Sequence, residues 1–545
     1  MLTGLLALPW NTLIRIETIL FLSDWVIRIV MLVVVPRRRA PSSARAWLIL
    51  IFLLPWIGLA LYLILGRLRI SQRRVKRHAT YQQQAQRRLT PGSPAGSAPP
   101  ITAATSQTTE QPSRPPQDDV AVSAVDGIHD EGNATRAVSL PAPTPVEAHW
   151  PEPSYPHLDK WLQPTAALAQ ALSALPILDG NGADLLDNYE GSIDRLIGDI
   201  DDATRHIHVL FYIFADDATG KRVADALLRA ARRGVTCRLL IDGLGSRPSL
   251  GSLLPRLRAG GVQAHAIAPP SWAHLLRYSE TSRIDLRNHR KVVVIDGAIG
   301  YTGSQNIVDA DFKGGLVYDE LVVRLRGPIV GQLQSVFLGD WFLETHELLD
   351  NPDLVHDLPA SGSIVAQTIP SGPEYPTAAN QRLFTSLLYG ARSRIVLTSP
   401  YFIPDATFLN ALETAALRGV DTHLIVSQAA DQALVSQAQR SFYAELLEMG
   451  VQIHLYRAPR FLHAKHLSID ADLAIIGSSN LDRRSFALNS EISVLFYGHD
   501  VASRLRVIEE RYMANAHQLT AEEWLKRPWP VKVIQNTARL MDELL

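Results

Sequence analysis

The sequence of 545 residues contains only one cysteine. A single cysteine excludes an internal disulfide framework and a Cys-rich zinc or iron–sulfur site. The chain also lacks an overall excess of charge, because 53 Lys and Arg residues stand against 54 Asp and Glu residues. At roughly 150 residues per domain, the chain is too long for one ordinary domain, and we expect three or four units.

Acidic residues are nearly absent from the first 78 positions, where 12 Lys and Arg residues accompany only Glu17 and Asp24. This head has a net charge of +10, which leaves −11 for the remainder. An acidic body argues against a nuclease or another nucleic-acid-binding protein, since these rely on basic surfaces. We therefore predict a basic head joined to an acidic body, with no nucleic acid as partner.

Two hydrophobic segments lie within the head. Residues 46–65 carry no charge and are long enough to cross a hydrocarbon core of about 30 Å. Residues 18–35 are interrupted by Asp24 and Arg28, which lie four apart on one helical face and can pair. We predict a membrane anchor over residues 1–78 with two transmembrane helices, an interfacial or signal-like segment being the alternative for 18–35.

The arginines that flank these segments bear on orientation. Six basic residues follow the second segment, and by the positive-inside rule they favour a cytoplasmic body for a multi-pass membrane protein. Four arginines in the loop between the segments conflict with this orientation.

Residues 79–155 then form a Pro-, Ser- and Thr-rich stretch without periodicity, which we predict to be a disordered linker.

The body contains the same passage twice. Residues 206–217 (HIHVLFYIFADD) are similar to residues 394–405 (RIVLTSPYFIPD), and each passage precedes a helix-like segment, a Gly turn and an apolar strand. This alternation predicts an α/β fold with βα units around a largely parallel sheet. The long period indicates a duplicated domain, with copies over residues 156–350 and 351–545.

Each copy ends in one further matching block, H-x-K-x4-D followed by G-S-x-N, with the same offsets in both copies. The residues of the first block are His289, Lys291, Asp296, Ser304 and Asn306, and those of the second are His463, Lys465, Asp470, Ser478 and Asn480. Side chains two apart on a strand share a face, so His and Lys project together. Asp296 and Asp470 belong to the same predicted catalytic motif, although strand parity places them on the opposite face and favours a structural role.

Two such blocks facing each other make a pocket of imidazoles and cations that suits a phosphodiester. One neutral histidine can attack phosphorus while the other, protonated, donates to the leaving oxygen. The sequence leaves open which histidine attacks. Lys, Ser and Asn would bind phosphate oxygens, Asp319 and Glu491 are the candidates that orient an imidazole, and we predict no metal and no cofactor.

These residues resemble the two HKD motifs of the phospholipase D superfamily, and nearly the whole chain is similar to its bacterial cardiolipin synthase branch. The further matching passages include 54–67 (LPWIGLALYLILGR), 400–405 (PYFIPD) and 479–485 (SNLDRRS). The resemblance implies duplicated phospholipase D-like domains packed around one shared active site and preceded by two transmembrane helices. It also implies that two phosphatidylglycerols form cardiolipin and glycerol through a phosphohistidine, with anionic phospholipids as partners.

The chain departs from this branch at residues 317–323 (VYDELVV), where synthases often show an aromatic-rich W-R-D-type passage. The departure leaves the acceptor open. The alternatives are a phospholipase D-type hydrolase that releases phosphatidic acid and a transferase that uses another lipid, such as phosphatidylethanolamine. A nuclease with the same motifs is opposed by the acidic body.

Overall fold

The computed structural model describes residues 10–38, 41–66, 74, 76–81, 158–267, 286–349, 351, 354, 358–375 and 379–540. The predicted disordered linker lies outside these ranges from residue 82 onward. Its first three residues, 79–81, are helical.

The head forms three helices, α1 (Trp10–Arg38), α2 (Pro41–Leu53) and α3 (Pro55–Leu65). Within α1, Thr18–Arg38 is the one helical stretch of the described residues that is long and apolar enough to cross a membrane. The prediction of a second continuous span over 46–65 is wrong. The helix stops at Leu53 and restarts at Pro55, because proline has no N–H to continue the preceding helix and clashes with its last turn.

Helices α2 and α3 fold back on each other as a hairpin. A Cβ on Gly58 would lie 2.7 Å from Cα of Ile51, and the rings of Trp47 and Tyr62 are 5.3 Å apart. At about 1.5 Å per residue, neither helix alone spans a hydrocarbon core.

Arg28 of α1 supports the tip of this hairpin. Its Nε donates to the carbonyl oxygen of Phe52 at 3.2 Å, in the last turn of α2, where carbonyls lack partners within the helix. Its guanidinium lies 4.0 Å from Asp24, as the spacing of these residues predicts. The two charges that interrupt the first segment therefore hold the hairpin against α1.

The described residues of the first copy form eight strands and five α-helices. The strands are β1 (Leu178–Leu186), β2 (His206–Phe211), β3 (Thr236–Asp242), β4 (Gln263–Ile267), β5 (Val292–Ile295), β6 (Ile299–Gly303), β7 (Val317–Asp319) and β8 (Val322–Arg326). The helices are α4 (Gln163–Ser173), α5 (Tyr189–Asp201), α6 (Ala218–Arg232), α7 (Leu253–Ala259) and α8 (Ile329–Thr345).

The described residues of the second copy form eleven strands and eight α-helices. The strands are β9 (Ile364–Ser371), β10 (Arg394–Thr398), β11 (Phe402–Ile403), β12 (Asp421–Ser427), β13 (Gln452–Tyr456), β14 (Arg460–Leu462), β15 (His466–Ile469), β16 (Leu473–Gly477), β17 (Leu481–Asp482), β18 (Glu491–Tyr497) and β19 (Ala516–Leu519). The helices are α9 (Ala379–Gly390), α10 (Ala406–Leu417), α11 (Ala433–Ser441), α12 (Tyr443–Glu448), α13 (Arg483–Ala487), α14 (His499–Ala514), α15 (Ala521–Leu525) and α16 (Trp529–Arg539).

Fifteen strands form one sheet in the order β19-β13-β12-β10-β15-β16-β18-β9-β1-β8-β6-β5-β2-β3-β4. The order of one copy repeats in reverse in the other, and the copies meet where β1 pairs antiparallel with β9. Among the described residues of this sheet, only β2-β3-β4 and β10-β12-β13 pair parallel, and the separate pairs β11–β17 and β7–β14 are also parallel. The prediction of a largely parallel sheet fails for the other strands, because tight turns such as that between Ile295 and Ile299 join neighbours directly.

The apolar core lies on both faces of this sheet. Val292 and Val294 of β5 face a cluster that includes α8 and α14, whereas Val293 and Ile295 face α5, α6 and α7. Successive residues of β5 alternate between two buried faces, so this strand is apolar throughout. The motif residues His289 and Lys291 lie just before it.

Candidate active site

The first motif lies where β5 begins. The main-chain N–H of His289 donates to the carbonyl oxygen of Ser490 at 2.8 Å, and Asn288 forms a bridge with the same residue of the second copy. Nζ of Lys291 donates to the carbonyl oxygen of His289 at 2.7 Å. The histidine backbone of the first copy is thus held by the second.

The second motif lies between β14 and β15 and mirrors this arrangement. The N–H of His463 donates to the carbonyl oxygen of Asp319 at 2.8 Å, next to the parallel pair formed by β14 and β7. Nζ of Lys465 donates to the carbonyl oxygen of His463 at 2.7 Å and lies 3.1 Å from Nε2 of the same ring.

Glu491 orients the histidine of the other copy. Its carboxylate lies 2.9 Å from Nδ1 of His289 and also accepts a hydrogen bond from Ser478 at 2.6 Å. The glutamate is completely buried, and Nε2 is left as the nitrogen that faces the pocket. The sequence identified Glu491 but not the exchange between copies.

Glu320 has the corresponding position beside His463, with its carboxylate 2.7 Å from Nδ1. The prediction of Asp319 for this role is wrong by one residue. The carboxylate of Asp319 instead accepts hydrogen bonds from Arg460 and Tyr456, because successive side chains of an extended segment point to opposite sides. The repeat holds a signal for Glu320, since both copies place a glutamate directly before an apolar strand residue.

Burial lowers the pKa of both histidines. The pKa of His289 falls to about 4, because burial and the charges of Lys291 and Lys465 outweigh the opposing effect of Glu491. The pKa of His463 is also lowered, by burial and by Lys465, against the effect of Glu320. A neutral imidazole, the form that can act as a nucleophile, is therefore favoured at His289 near neutral pH.

The two lysines are equally enclosed. Burial lowers the pKa of Lys291 to about 7, with a smaller contribution from the charge of Lys465. Burial also lowers the pKa of Lys465 to about 8, although Glu320 and Glu491 favour its charged form. Burial alone would raise the pKa of each glutamate, yet the neighbouring His and Lys hold the pKa of both carboxyls below the usual range.

The motif aspartates lie away from this cluster, which contradicts their inclusion among catalytic residues. Asp296 accepts hydrogen bonds from the backbone N–H groups of residues 204–206, and Asp470 from those of residues 392–394. Both have φ of 54° and end their strands in tight turns. Their role is to fasten β5 to β2 and β15 to β10, in agreement with strand parity.

The two motif serines bond the protein itself. Oγ of Ser304 accepts the N–H of Leu321 at 2.9 Å, and Oγ of Ser478 accepts the N–H of Ile492 at 3.0 Å. The hydroxyl of Ser478 donates to Glu491, and that of Ser304 to the carbonyl oxygen of Leu321. Each serine therefore ties the end of one strand to the segment that carries the orienting glutamate.

The motif asparagines are buried beside the serines. Oδ1 of Asn306 accepts the N–H of Ile213 at 3.2 Å. Oδ1 of Asn480 has no hydrogen-bond partner among the described residues. Binding of phosphate oxygens by the asparagine amides stays a prediction.

Aromatic side chains that the motif search did not single out surround the histidines. Tyr212 lies 4.7 Å from the ring of His289, and its counterpart in the repeat, Tyr401, lies 6.4 Å from that of His463. Near His463, the hydroxyls of Tyr401 and Tyr318 both donate to Asp431, at 2.6 and 3.1 Å.

The end of the head and the first residues after it dock directly behind the site. Arg74 donates to Glu374 at 2.7 Å, and Glu374 accepts a hydrogen bond from Ser490, whose carbonyl oxygen holds the N–H of His289. The hydroxyl of Tyr81 donates to the carbonyl oxygen of Ser335 at 2.6 Å. The membrane head and the site are thus connected through a few hydrogen bonds.

Comparison with known proteins agrees with this geometry. The family model described as "Cardiolipin synthase, PLD-like domain" matches residues 196–341 and 384–513, and the phospholipase D-nuclease N-terminal model matches residues 26–67. Cardiolipin synthase A of Proteus mirabilis is 31% identical over 520 residues, covering 94% of this chain and 95% of that protein. Cardiolipin synthase A of Pectobacterium atrosepticum is 31% identical over 541 residues, covering 97% and 99%.

Among solved structures, the phosphatidylserine synthase of Haemophilus influenzae shares the fold. The TM-score is 0.53 at 16% identity, covering 70% of this chain and 98% of that one. The family models and the relatives span both motif copies and the membrane head. The chain therefore belongs to the cardiolipin synthase family of the phospholipase D superfamily.

Proposed function

We propose that the protein is a membrane-bound phosphatidyltransferase that joins two phosphatidylglycerols into cardiolipin and releases glycerol. The observation that carries this proposal is that each histidine is hydrogen-bonded by a glutamate of the other copy. Glu491 of the second copy contacts His289, and Glu320 of the first copy contacts His463. Each copy lacks its own imidazole partner, so the two copies form one site with two imidazoles. The relatives named cardiolipin synthase support phosphatidylglycerol as the substrate.

In the first half-reaction, Nε2 of His289 attacks phosphorus of one phosphatidylglycerol. The bond from phosphorus to the glycerol oxygen breaks, and protonated His463 donates its proton to that oxygen as glycerol leaves. In the second half-reaction, His463 takes the proton of the terminal hydroxyl of a second phosphatidylglycerol. That oxygen attacks phosphorus, the bond to His289 breaks, and cardiolipin is released.

The assignment of His289 as nucleophile rests on one difference between the rings. Burial lowers the pKa of both imidazoles, so the pKa does not distinguish them, and the negative charge of a bound phosphodiester would favour the protonated form of His463. Nζ of Lys465 lies 3.1 Å from Nε2 of His463, where its N–H would compete with attack on phosphorus. Within the described residues, no lysine occupies Nε2 of His289.

The buried lysines supply the charge that the acidic body otherwise lacks. A phosphodiester bound between Lys291 and Lys465 would raise the pKa of both ammonium groups, because an adjacent negative charge favours the protonated form. Asn480, with a buried amide oxygen, and Asn306 complete the polar lining on either side. Such preorganised donors act most strongly where water is excluded.

The hairpin suggests an orientation for the chain. We infer that α1 crosses the membrane once and that α2 and α3 enter and leave on the same side, which replaces a two-span topology. Arg37 and Arg38, at the end of α1, then lie on the same side as the basic residues of 67–77. The conflict in the positive-inside rule disappears, and the body lies in the cytoplasm.

Single cysteines test this topology in a Cys237→Ser background. Ser42→Cys and Ser71→Cys should both resist a membrane-impermeant maleimide in intact cells and react after permeabilisation, whereas Thr3→Cys should react in intact cells. Labelling of Ser42→Cys from outside, with Ser71→Cys protected, would restore the second span.

Lipid analysis tests the reaction itself. The purified full-length protein, in vesicles that contain phosphatidylglycerol alone, should yield cardiolipin and an equal amount of glycerol. Phosphatidic acid without cardiolipin would instead identify a hydrolase. Product that forms only after phosphatidylethanolamine is added would identify a different lipid pair.

A further inference from the structure

The last helix of the described chain, α16, presents its apolar side outward. Trp529, Val533, Ile534 and Leu540 are all more than half exposed, Trp529 to 75%. In a helix of 3.6 residues per turn, Trp529, Val533 and Leu540 fall on one side. Elsewhere in the described body, Leu, Ile, Val and Trp exposed to that degree are scattered, as at Leu417 and Val507.

The side of α16 that faces the protein buries Gln535 and Ala538, and the exposed side carries Asn536 and Thr537 beside the large apolar residues. Gln535 accepts a hydrogen bond from Arg527, and Arg539 donates to Glu445 at 2.9 Å across the contact. A surface helix of a soluble protein packs its large apolar side chains against the core, whereas α16 leaves Trp529, Val533 and Ile534 more than half exposed. These three side chains therefore call for an apolar environment outside the protein.

We propose that α16 lies in the interface of the anionic membrane that anchors the chain, with its apolar side inserted among the lipids. The chain is already held at a bilayer by α1, so α16 needs no second partner to reach one. Trp529 at the start of the helix suits the headgroup boundary.

This position would bring the catalytic pocket to the level of the headgroups. Helix α16 packs against α11, which starts two residues after Asp431. Asp431 accepts hydrogen bonds from Tyr318 and Tyr401 beside His463. A phosphodiester at the membrane surface could then enter the pocket without the lipid leaving the bilayer.

Spin labels test the location independently of any activity. In full-length protein with Cys237→Ser, labels at Val533→Cys, Val507→Cys and Leu417→Cys would be compared in phosphatidylglycerol-containing nanodiscs with one protein copy each. The label at 533 should be relaxed more by oxygen than by a water-soluble nickel complex, and the other two should show the reverse. The same preference for the nickel complex at 533, or no difference among the three positions, would overturn the proposal.

A second set of measurements distinguishes insertion of α16 into lipid from its contact with a second protein copy. It also distinguishes a failure of this proposal from a failure of the proposed reaction. Val533→Asp combined with Ile534→Asp should lower turnover of phosphatidylglycerol in vesicles roughly tenfold but leave turnover of a short-chain, soluble phosphatidylglycerol unchanged. Val507→Asp should affect neither substrate. Dipolar broadening between labels at 533, in samples with two copies per disc, would assign the surface to a protein contact and overturn the lipid assignment.

Discussion

The two half-sites have the same motif, but their surroundings differ. On the first side, His289 contacts Tyr212, and the backbone behind it reaches the membrane head through Glu374 and Arg74. On the second side, tyrosines and a buried aspartate, Asp431, surround the histidine. Duplication therefore supplied the reacting groups, and later divergence of the neighbouring residues allows the two imidazoles to take different roles.

Each histidine is hydrogen-bonded by a glutamate of the other copy, which explains why one copy alone cannot form a complete site. A carboxylate that orients an imidazole must lie within hydrogen-bond distance of Nδ1, and in both cases the nearest such group comes from the other copy. The β14–β7 pair and the bridge between Asn288 and Ser490 hold the copies in that register. Loss of this register would disable both histidines together.

Removal of either histidine should have the largest effect on turnover and should show that the two histidines have different roles. His289→Ala and His463→Ala are each expected to lower turnover by at least about 10³-fold, because each role is required in both half-reactions. With labelled phosphatidylglycerol, His463→Ala should retain a slowly formed phosphohistidine on residue 289, found by mass spectrometry of the peptides. An adduct on His463 in the His289→Ala protein would reverse the roles; His517→Ala, at an exposed site, is the matched control.

Neutralising the orienting glutamates should have the next largest effect. Glu491→Gln and Glu320→Gln are expected to lower kcat by roughly 10²- to 10⁴-fold, since an amide no longer stabilises the imidazolium that forms during the reaction. Asp319→Asn should cost less than either, because its side chain bonds Arg460. Equal losses for Asp319→Asn and Glu320→Gln, measured at saturating substrate with unchanged thermal unfolding, would contradict the assignment of Glu320.

The dependence of kcat/KM on pH should distinguish the two lysines. With the pKa of Lys291 at about 7 and that of Lys465 at about 8 in the free enzyme, both ammonium groups lose their charge as pH rises. The ratio kcat/KM, which reports the free enzyme, should therefore fall several-fold from pH 7 to pH 9. Lys291→Arg should remove the lower inflection and keep the upper one; a flat profile in the wild type would exclude a role for lysine charge in binding.

The motif aspartates should have the smallest effect on turnover. Asp296→Asn and Asp470→Asn are each expected to lower stability by roughly 1–3 kcal/mol with kcat unchanged, because each carboxylate accepts several backbone N–H groups. Those hydrogen bonds keep the pKa of both carboxyls below the usual range, although burial opposes them. The stabilisation is present above the unfolded pKa and is lost as pH falls through the folded one, so the difference in Tm from wild type should shrink in acid. A large loss of kcat would restore a catalytic role.

Some parts of the fold and the site could be predicted because they depend on local periodicity. The spacing of two between His and Lys, and the parity that turns Asp296 and Asp470 away, follow from the alternation of an extended chain. Asp319 was a candidate because it lies 30 residues after His289, similar to the 28 residues from His463 to Glu491, and such a spacing cannot distinguish Asp319 from its neighbour Glu320. Pro55 itself signals a break in the second hydrophobic segment. Composition alone cannot distinguish a kinked transmembrane span from a helical hairpin.

The sequence by itself determined the duplication, the family, the two matching motifs with their histidines and lysines and the uneven distribution of charge, since each is a property of residue types at fixed spacings. Only the tertiary structure decided that Glu491 serves His289 and Glu320 serves His463, that the second hydrophobic segment turns back on itself, and that α16 faces outward. These features depend on contacts between residues up to 202 positions apart, which spacing along the chain cannot specify.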